Sequence, residues 1–246
     1  MQDALEVTGM VLSSMPIGEA DRRVVLLTAE LGRISAFARG ARKPTSALVS
    51  ATRTFAFGRF TVFPGRNSYS VERADIAEYF EDIVGDVKNT AYGCYLAELA
   101  VMFSRENADG KNMLALLYFA LRALARGKMD AALVRRVYEL ALFHENGVLP
   151  DFSVCPDCGK PLLQGRFLKS RMQAVCRECC PEGSGLPLSR SALYALSFIR
   201  ETPAEKLFSF ALSEEAMREL SDTADVLLSA NLEREPKSLD LLQVLV

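Results

Sequence analysis

Four cysteines in the second half of the chain have the spacing of a metal site. Cys155 and Cys158 are separated by two residues, seventeen residues follow, and Cys176 and Cys179 repeat the two-residue spacing. We call each Cys-x-x-Cys segment a knuckle. Two knuckles supply a tetrahedron of thiolates, which is the ligand set of structural zinc sites. A closed four-thiolate site leaves no position for a catalytic water, so the sequence predicts one structural Zn²⁺ ion. Cys180 is an alternative to Cys179 as the fourth ligand.

The remaining chemistry-bearing residues do not form a recognisable catalytic motif. The chain has a single histidine, and it lacks the G-x-x-x-x-G-K-[ST], G-x-S-x-G and H-E-x-x-H patterns. We therefore expect a protein that is not an enzyme. Bases within the cysteine segment leave a second interpretation open, in which the zinc ribbon contacts DNA; they are Lys160, Arg166, Lys169, Arg171 and Arg177.

The charge of the chain is strongly segregated. The net charge is −2, yet no acid occurs between Glu30 and Glu72, and that window holds seven bases. An acid-free basic stretch of this length is typical of a surface that follows nucleic-acid phosphates, although a solvated barrel surface is the simpler alternative. With two preceding arginines, the candidate DNA-binding bases are Arg22, Arg23, Arg33, Arg39, Arg42, Lys43, Arg53, Arg59 and Arg66.

The pattern of the first eighty residues predicts five short β-strands, interrupted once by "GARKPTSALV". Five strands suit an OB-fold barrel, which binds oligonucleotides, or an SH3-like barrel. Phenylalanines and a tyrosine lie among the arginines of this region, and aromatic rings of OB-folds stack on bases. Strand alternation indicates that Phe55 and Phe57 are core residues, so Phe60 and Tyr69 are the candidate stacking residues.

After residue 79 the apolar residues recur with the spacing of a helix, which predicts α-helices. Asp130 and Ser213 are expected to cap helices, and Thr202 is expected to open a capping box. The predicted fold class is α+β multidomain: an OB-fold barrel at 1–79, an α-helical domain at 80–246, and a zinc ribbon inserted at 151–185. The N-terminus has no signal-peptide pattern, and the longest apolar run has nine residues, so we expect a cytoplasmic protein without a membrane span.

One long stretch is recognisable. "GMVLSSMPIGEADRRVVLLTAELGRISAFARGARKPTSAL" closely resembles the N-terminal signature of the RecO family of bacterial recombination mediators, in which a G-E-x-D-R turn precedes a "GARKPxS" segment. The resemblance continues through "GCYLAELAVMF", "LPDFSVCPDCG" and "EPKSLDLLQVL". Ala20 and Val148 depart from the family pattern, but neither lies in the basic loop or among the cysteines.

This resemblance implies an N-terminal OB-fold and a protein that binds single- and double-stranded DNA and anneals complementary strands. It also implies that the protein acts together with RecR and with the single-strand-binding protein SSB to load RecA onto SSB-coated DNA, in the bacterial nucleoid. In the family the acidic, apolar SSB tail docks on the helical domain. Candidate contacts for that tail are Arg122, Arg126, Arg135 and Arg136.

Two other functions stay open on the sequence alone. In one, the chain is a protein–protein scaffold whose barrel binds an acidic partner protein. In the other, it is a metal-dependent enzyme.

Overall fold

The computed structural model describes residues 3–180 and 183–245. By compactness the chain up to Ala125, together with the stretch from Pro236, forms one unit, and residues 126–235 form a second. This division into two units does not test the domain boundaries predicted from the sequence, at 1–79, 80–246 and 151–185. Those boundaries stay predictions.

Five strands of the first unit close into a barrel in the order β1-β2-β3-β5-β4. Their bounds are Leu5–Ile17 for β1, Asp21–Thr28 for β2, Gly32–Ala38 for β3, Phe57–Pro64 for β4 and Tyr69–Glu78 for β5. Neighbours are antiparallel except β3 and β5, which pair in parallel. A short helix, α1 (Leu48–Ala51), lies between β3 and β4. The barrel is the OB-fold that the resemblance implied.

Strand alternation separates the interior of the barrel from its surface. On β3, Ile34, Ala36 and Ala38 are buried, while Arg33, Ser35 and Phe37 between them are half-buried. The buried positions of β3 join Val24 and Leu26 of β2 in a single apolar core. Because side chains of a strand point alternately to its two faces, every second residue of β2 and β3 faces outward.

Three longer helices complete the first unit. They are α3 (Val87–Phe103), α4 (Lys111–Arg126) and α9 (Ser238–Leu245), with the short α2 (Glu81–Val84) before them. The carboxylate of Glu98 on α3 accepts hydrogen bonds from the Lys237 and Ser238 backbone N–H groups, at 3.0 and 2.9 Å, and from Ser238 Oγ at 2.7 Å. These bonds satisfy free N–H groups at the start of α9, so α3 fixes the C-terminal helix.

The second unit combines helices with a small sheet. Its helices are α5 (Ala131–Glu145), α6 (Arg190–Glu201), α7 (Ala204–Leu207) and α8 (Glu214–Asn231). Its sheet has the order β7-β6-β8, with β6 at Gly165–Leu168, β7 at Gln173–Cys176 and β8 at Leu186–Leu188.

Two of the three predicted helix caps are confirmed. Asp130 accepts from the N–H groups of Ala132 and Leu133, and Ser213 accepts from that of Ala216. The capping box at Thr202 is wrong, because Thr202 ends α6 in an extended conformation. Among the described residues, no helix combines the length and hydropathy that crossing a bilayer requires.

Candidate nucleic-acid interface and metal centre

The outward residues of β2 and β3, which we call the outer face, include one row in register across four strands. Met15 on β1 pairs with Arg23 on β2, Arg23 pairs with Phe37 on β3, and Phe37 pairs with Ser70 on β5. Directly paired residues point to the same face of a sheet, so these side chains lie side by side. Arg23 Nε also donates to Ser35 Oγ at 2.9 Å. OB-folds bind oligonucleotides on this face.

The structure corrects one predicted stacking residue and adds another. Phe60 has 1% of its surface exposed and belongs to the barrel core, so the expectation that it stacks on bases is wrong. Tyr69 is half-buried and packs against the same core. Phe37 was missed, although the alternation of "GRISAFA" places it outward, opposite to Ile34 and Ala36.

The loop that follows β3 is tied to the β1–β2 turn. The backbone N–H of Arg42 donates to the Ala20 carbonyl at 2.8 Å, and Arg42 Nη1 donates to the Gly18 carbonyl at 2.9 Å. The Gly40 N–H donates to Asp21 Oδ1 at 2.7 Å. The turn and the loop are therefore held together at the edge of the outer face, where Arg22 pairs with Ala38 at the end of β3.

Several predicted bases are exposed around this face. The β4–β5 turn, which contains Arg66, leads directly into Tyr69, the residue paired with Ala36 of β3. Within residues 3–180 and 183–245, five of the predicted bases are exposed and their side chains make no hydrogen bond or ion pair; they are Arg39, Lys43, Arg53, Arg59 and Arg66. These cations can contact phosphates without breaking an existing interaction.

Three of the predicted bases have protein contacts or a neighbouring acid. Arg33 is half-buried, and its Nη1 donates to the Val101 carbonyl on α3 at 2.6 Å, so this side chain anchors the barrel to α3. Arg59 lies directly opposite Asp75 on β5 and therefore belongs to a face of mixed charge. Arg22 Nη1 lies 3.4 Å from Ser14 Oγ. Arg33 is therefore less available for a DNA contact than the exposed bases, and its role in DNA binding stays a prediction.

The four predicted cysteines come together in the second unit. The sulfur atoms of Cys155, Cys158, Cys176 and Cys179 all lie within 4.8 Å of one another. Cys158 Sγ and Cys176 Sγ are 3.8 Å apart, which is about the edge of a tetrahedron with metal–sulfur bonds of about 2.3 Å. The site fits a tetrahedral ion of the zinc type.

Cys180 lies outside this cluster. Its sulfur faces the Ser184 carbonyl at 3.6 Å. The geometry therefore favours Cys179 over Cys180 as the fourth ligand.

Backbone groups of the knuckles already favour a thiolate at Cys155. Burial opposes ionisation there, but N–H groups of Cys176, Asp157 and Cys158 point at the sulfur and lower the pKa of Cys155 to about 6. Hydrogen bonds shared with Cys176 and Cys158 raise the pKa of Cys179 to about 12. The sulfurs thus share protons that a bound cation would displace.

Ion pairs brace the two knuckles. Arg171 makes a double hydrogen bond with Asp157, at 2.6 and 2.9 Å, and Lys160 Nζ pairs with Glu178 at 2.7 Å. Arg166 donates to the carbonyls of Ser184 and Gly185. Three of the five bases considered for DNA contact are thus used inside the ribbon, which favours a structural role for it.

The four arginines considered for a partner tail have different surroundings. Arg122 Nη1 donates to the Tyr118 hydroxyl at 3.1 Å, and Arg126 is exposed. Arg135 and Arg136 pair with the fully buried Glu139 at 2.7 and 2.9 Å, and Arg136 also pairs with Asp225. Burial disfavours the charge of Arg136, but the two acids raise its pKa above the ordinary value. A tail carboxylate would have to compete with Glu139 for these two arginines.

Comparison with known proteins identifies the family of the chain. The family model described as "Recombination protein O N terminal" matches residues 1–80, and "Recombination protein O C terminal" matches residues 84–240. The DNA repair protein RecO of Acetivibrio thermocellus is 29% identical over 243 residues, which cover 98% of this chain and 97% of the relative. The RecO proteins of Desulforudis audaxviator and Symbiobacterium thermophilum are 31% and 30% identical, each over 97% of this chain and 96% of the relative. With both family models matched along nearly its whole length, the chain belongs to the RecO family of DNA repair proteins.

Proposed function

We propose that this chain is a non-enzymatic recombination mediator that binds single- and double-stranded DNA and anneals complementary strands. The observation that carries the proposal is the outer face, where Arg23 and Phe37 lie side by side and exposed bases follow in the adjoining loop and turn. Aromatic rings within a basic groove are the recognition elements of OB-folds that bind single strands. Membership of the RecO family supports the same function.

The physical basis of annealing is charge neutralisation. Two DNA strands repel each other through their phosphates, and bases on one protein surface reduce that repulsion so that complementary strands can pair. Phe37 can hold an unpaired base by stacking, while Arg39, Lys43 and Arg66 contact phosphates. With about four phosphate contacts, the logarithm of affinity for single strands should fall with the logarithm of salt concentration with a slope of about −3.

The ion of the ribbon is proposed to be Zn²⁺ with a structural role. Cys155, Cys158, Cys176 and Cys179 would hold it, and a closed set of four thiolates gives the ion no open position. Such an ion stabilises the knuckles, because metal binding at thiolates is coupled to folding.

The partners and location follow from the family and stay proposals. The chain would act with RecR and with the SSB tail to load RecA onto SSB-coated DNA in the bacterial cytoplasm, at the nucleoid. Arg122 and Arg126 are the more accessible of the four arginines considered for the acidic tail, since Arg135 and Arg136 already pair with Glu139.

The test is a salt series of single-strand binding for the parent and for Arg39→Gln/Lys43→Gln. Arg42 is left intact because its guanidinium also braces the β1–β2 turn. The matched control is Lys206→Gln/Arg218→Gln, which removes two exposed charges from α7 and α8. We expect the first variant to have a slope shallower by about one to two units, and the control to match the parent.

Two results would oppose the proposal. If the parent does not bind DNA, or if both variants keep its slope, the basic loop does not contact phosphates. Binding of an acidic protein, without competition by DNA, would then favour the scaffold function.

A further inference from the structure

The β1–β2 hairpin ends in an unusual apolar surface. Met15 is 59% exposed and Ile17 is 42% exposed, and Pro16 between them is also exposed. Met15 and Ile17 are two residues apart on β1, so both point to the same side as their partners Arg23 and Asp21. The end of the hairpin therefore presents two adjacent apolar side chains to solvent.

The tip is held in place. Arg42 donates through its backbone N–H and its guanidinium to the two turn carbonyls of Ala20 and Gly18. Gly18 has φ of +56°, a conformation that glycine adopts without strain, so the turn is tight. Gly40 adds a hydrogen bond to Asp21. A braced turn loses little conformational freedom when it contacts a ligand.

Cations lie beside the apolar tip. Arg22 and Arg23 pair with Pro16 and Met15, and Arg42 binds the Gly18 carbonyl. With Arg39 and Lys43 of the same loop, these five bases form what we call the basic rim. The acids of the turn are Glu19, which is exposed, and Asp21, which accepts the Gly40 N–H. The local balance is strongly positive, which complements the phosphates that flank every base step of DNA. Apolar side chains beside phosphate-binding cations are the arrangement with which architectural proteins enter base steps.

We propose that Met15 and Ile17 form an apolar wedge that enters a base step of duplex DNA while the basic rim holds the adjoining phosphates. The proposal rests on the DNA binding proposed above and adds how the duplex is engaged. Entry of the wedge unstacks the step and bends the duplex. Duplexes that unstack easily, such as those with a mismatch or a flexible pyrimidine–purine step, are then the preferred double-stranded ligands.

The experiment uses the full chain and a short duplex with 2-aminopurine at one central step, together with the same duplex labelled at both ends for energy transfer. Met15→Ser/Ile17→Ser removes the wedge without changing charge. The matched control is Val84→Ser/Val87→Ser, since these two valines are also exposed, at 45% and 71%, but belong to α2 and α3. Thermal unfolding of each protein verifies that the substitutions of exposed residues leave the fold intact.

For the parent and the valine control we expect a rise in 2-aminopurine fluorescence, a bend of at least about 20°, and tighter binding to a mismatched duplex than to a perfect one. For Met15→Ser/Ile17→Ser we expect an unchanged salt slope, because no cation is lost, with the fluorescence rise, the bend and the mismatch preference all reduced.

The outcomes separate this inference from the proposed function. If the parent binds duplex with a steep salt slope but neither unstacks nor bends it, or if Met15→Ser/Ile17→Ser behaves as the parent does, the wedge is overturned and DNA binding stands. If the parent does not bind DNA, the proposed function and the wedge fail together.

Discussion

Arg23 and Phe37 occupy directly paired positions on β2 and β3, and both point away from the barrel core. The pair combines a cation, which the proposed function places on a phosphate, with a ring that can stack on a base. It lies on the strands that OB-folds use for oligonucleotides. The aromatic contribution of this barrel to single-strand binding is thus expected at Phe37.

Phe37→Ala should weaken single-strand binding by about 1–3 kcal/mol, the cost of losing one base–aromatic stack. Because the ring is half-buried on the surface, the free energy of unfolding should change much less than for a core ring. Fluorescence anisotropy with a labelled oligonucleotide measures the first quantity, and denaturant titration measures the second. An unchanged dissociation constant would show that Phe37 does not stack on a base.

Phe60→Ala is the opposite case. This ring fills the barrel core, so its truncation should lower the free energy of unfolding by about 3–5 kcal/mol. At a temperature where the variant is still folded, its affinity for a single strand should stay near that of the parent. A selective loss of binding without loss of stability would restore Phe60 as a ligand contact.

Arg33 is expected to act on stability and not on DNA. Arg33→Met keeps much of the aliphatic volume but removes the charged hydrogen bond to the Val101 carbonyl. The variant should lose about 1.5–3 kcal/mol of unfolding free energy, the range of hydrogen bonds made by charged groups. Its salt slope for DNA binding should equal that of the parent. A slope shallower by about one unit would show that Arg33 contacts a phosphate.

Patterns that depend on local physics could be predicted from the sequence. The period of two in β3 and the side-chain caps at Asp130 and Ser213 involve neighbours in the chain, and the structure agrees with them. The cysteine spacing also predicts the cluster, because each knuckle is a local turn.

Contacts between distant segments could not be predicted in the same way. The carbonyl of Val101 is far from Arg33 in sequence, so nothing local distinguishes Arg33 from Arg39. The inward direction of Phe60 follows from the register of β4, and a change of one residue in register would turn the ring to the surface. The sequence from Thr202 to Glu205 has the pattern of a capping box. However, α6 continues as far as Glu201, and Thr202 is the C-cap of that helix.

The metal centre gives a prediction that separates two neighbouring cysteines. Cys179→Ser should abolish or strongly weaken binding of the proposed Zn²⁺ ion, since its sulfur belongs to the cluster, whereas Cys180→Ser should keep one ion per chain. Metal content after dialysis, measured by a colorimetric zinc assay with release by a thiol reagent, distinguishes the two variants. Loss of the ion from Cys180→Ser alone would assign the fourth ligand to Cys180.

Chelation of the ion should destabilise the ribbon. Metal binding at thiolates is coupled to folding and to proton release, so zinc affinity should also fall as the pH is lowered. Loss of dispersion in the NMR signals of residues 155–180 would report the unfolding. A ribbon that keeps its fold without metal while the protein loses a chemical activity would instead indicate a catalytic ion.

The buried carboxylate of Glu139 yields the last prediction. It is fully buried between Arg135 and Arg136, whereas Asp225, which also pairs with Arg136, is 57% exposed. Glu139→Gln removes the buried carboxylate that both largely buried guanidinium groups share and should cost about 3–5 kcal/mol. Asp225→Asn removes a solvent-screened partner and should cost at most about 1 kcal/mol. Urea unfolding at low and high salt measures both, and only the smaller loss should diminish with salt. Equal losses for the two variants would mean that water reaches Glu139, and then Arg135 and Arg136 would be as accessible to an acidic peptide as Arg126 is.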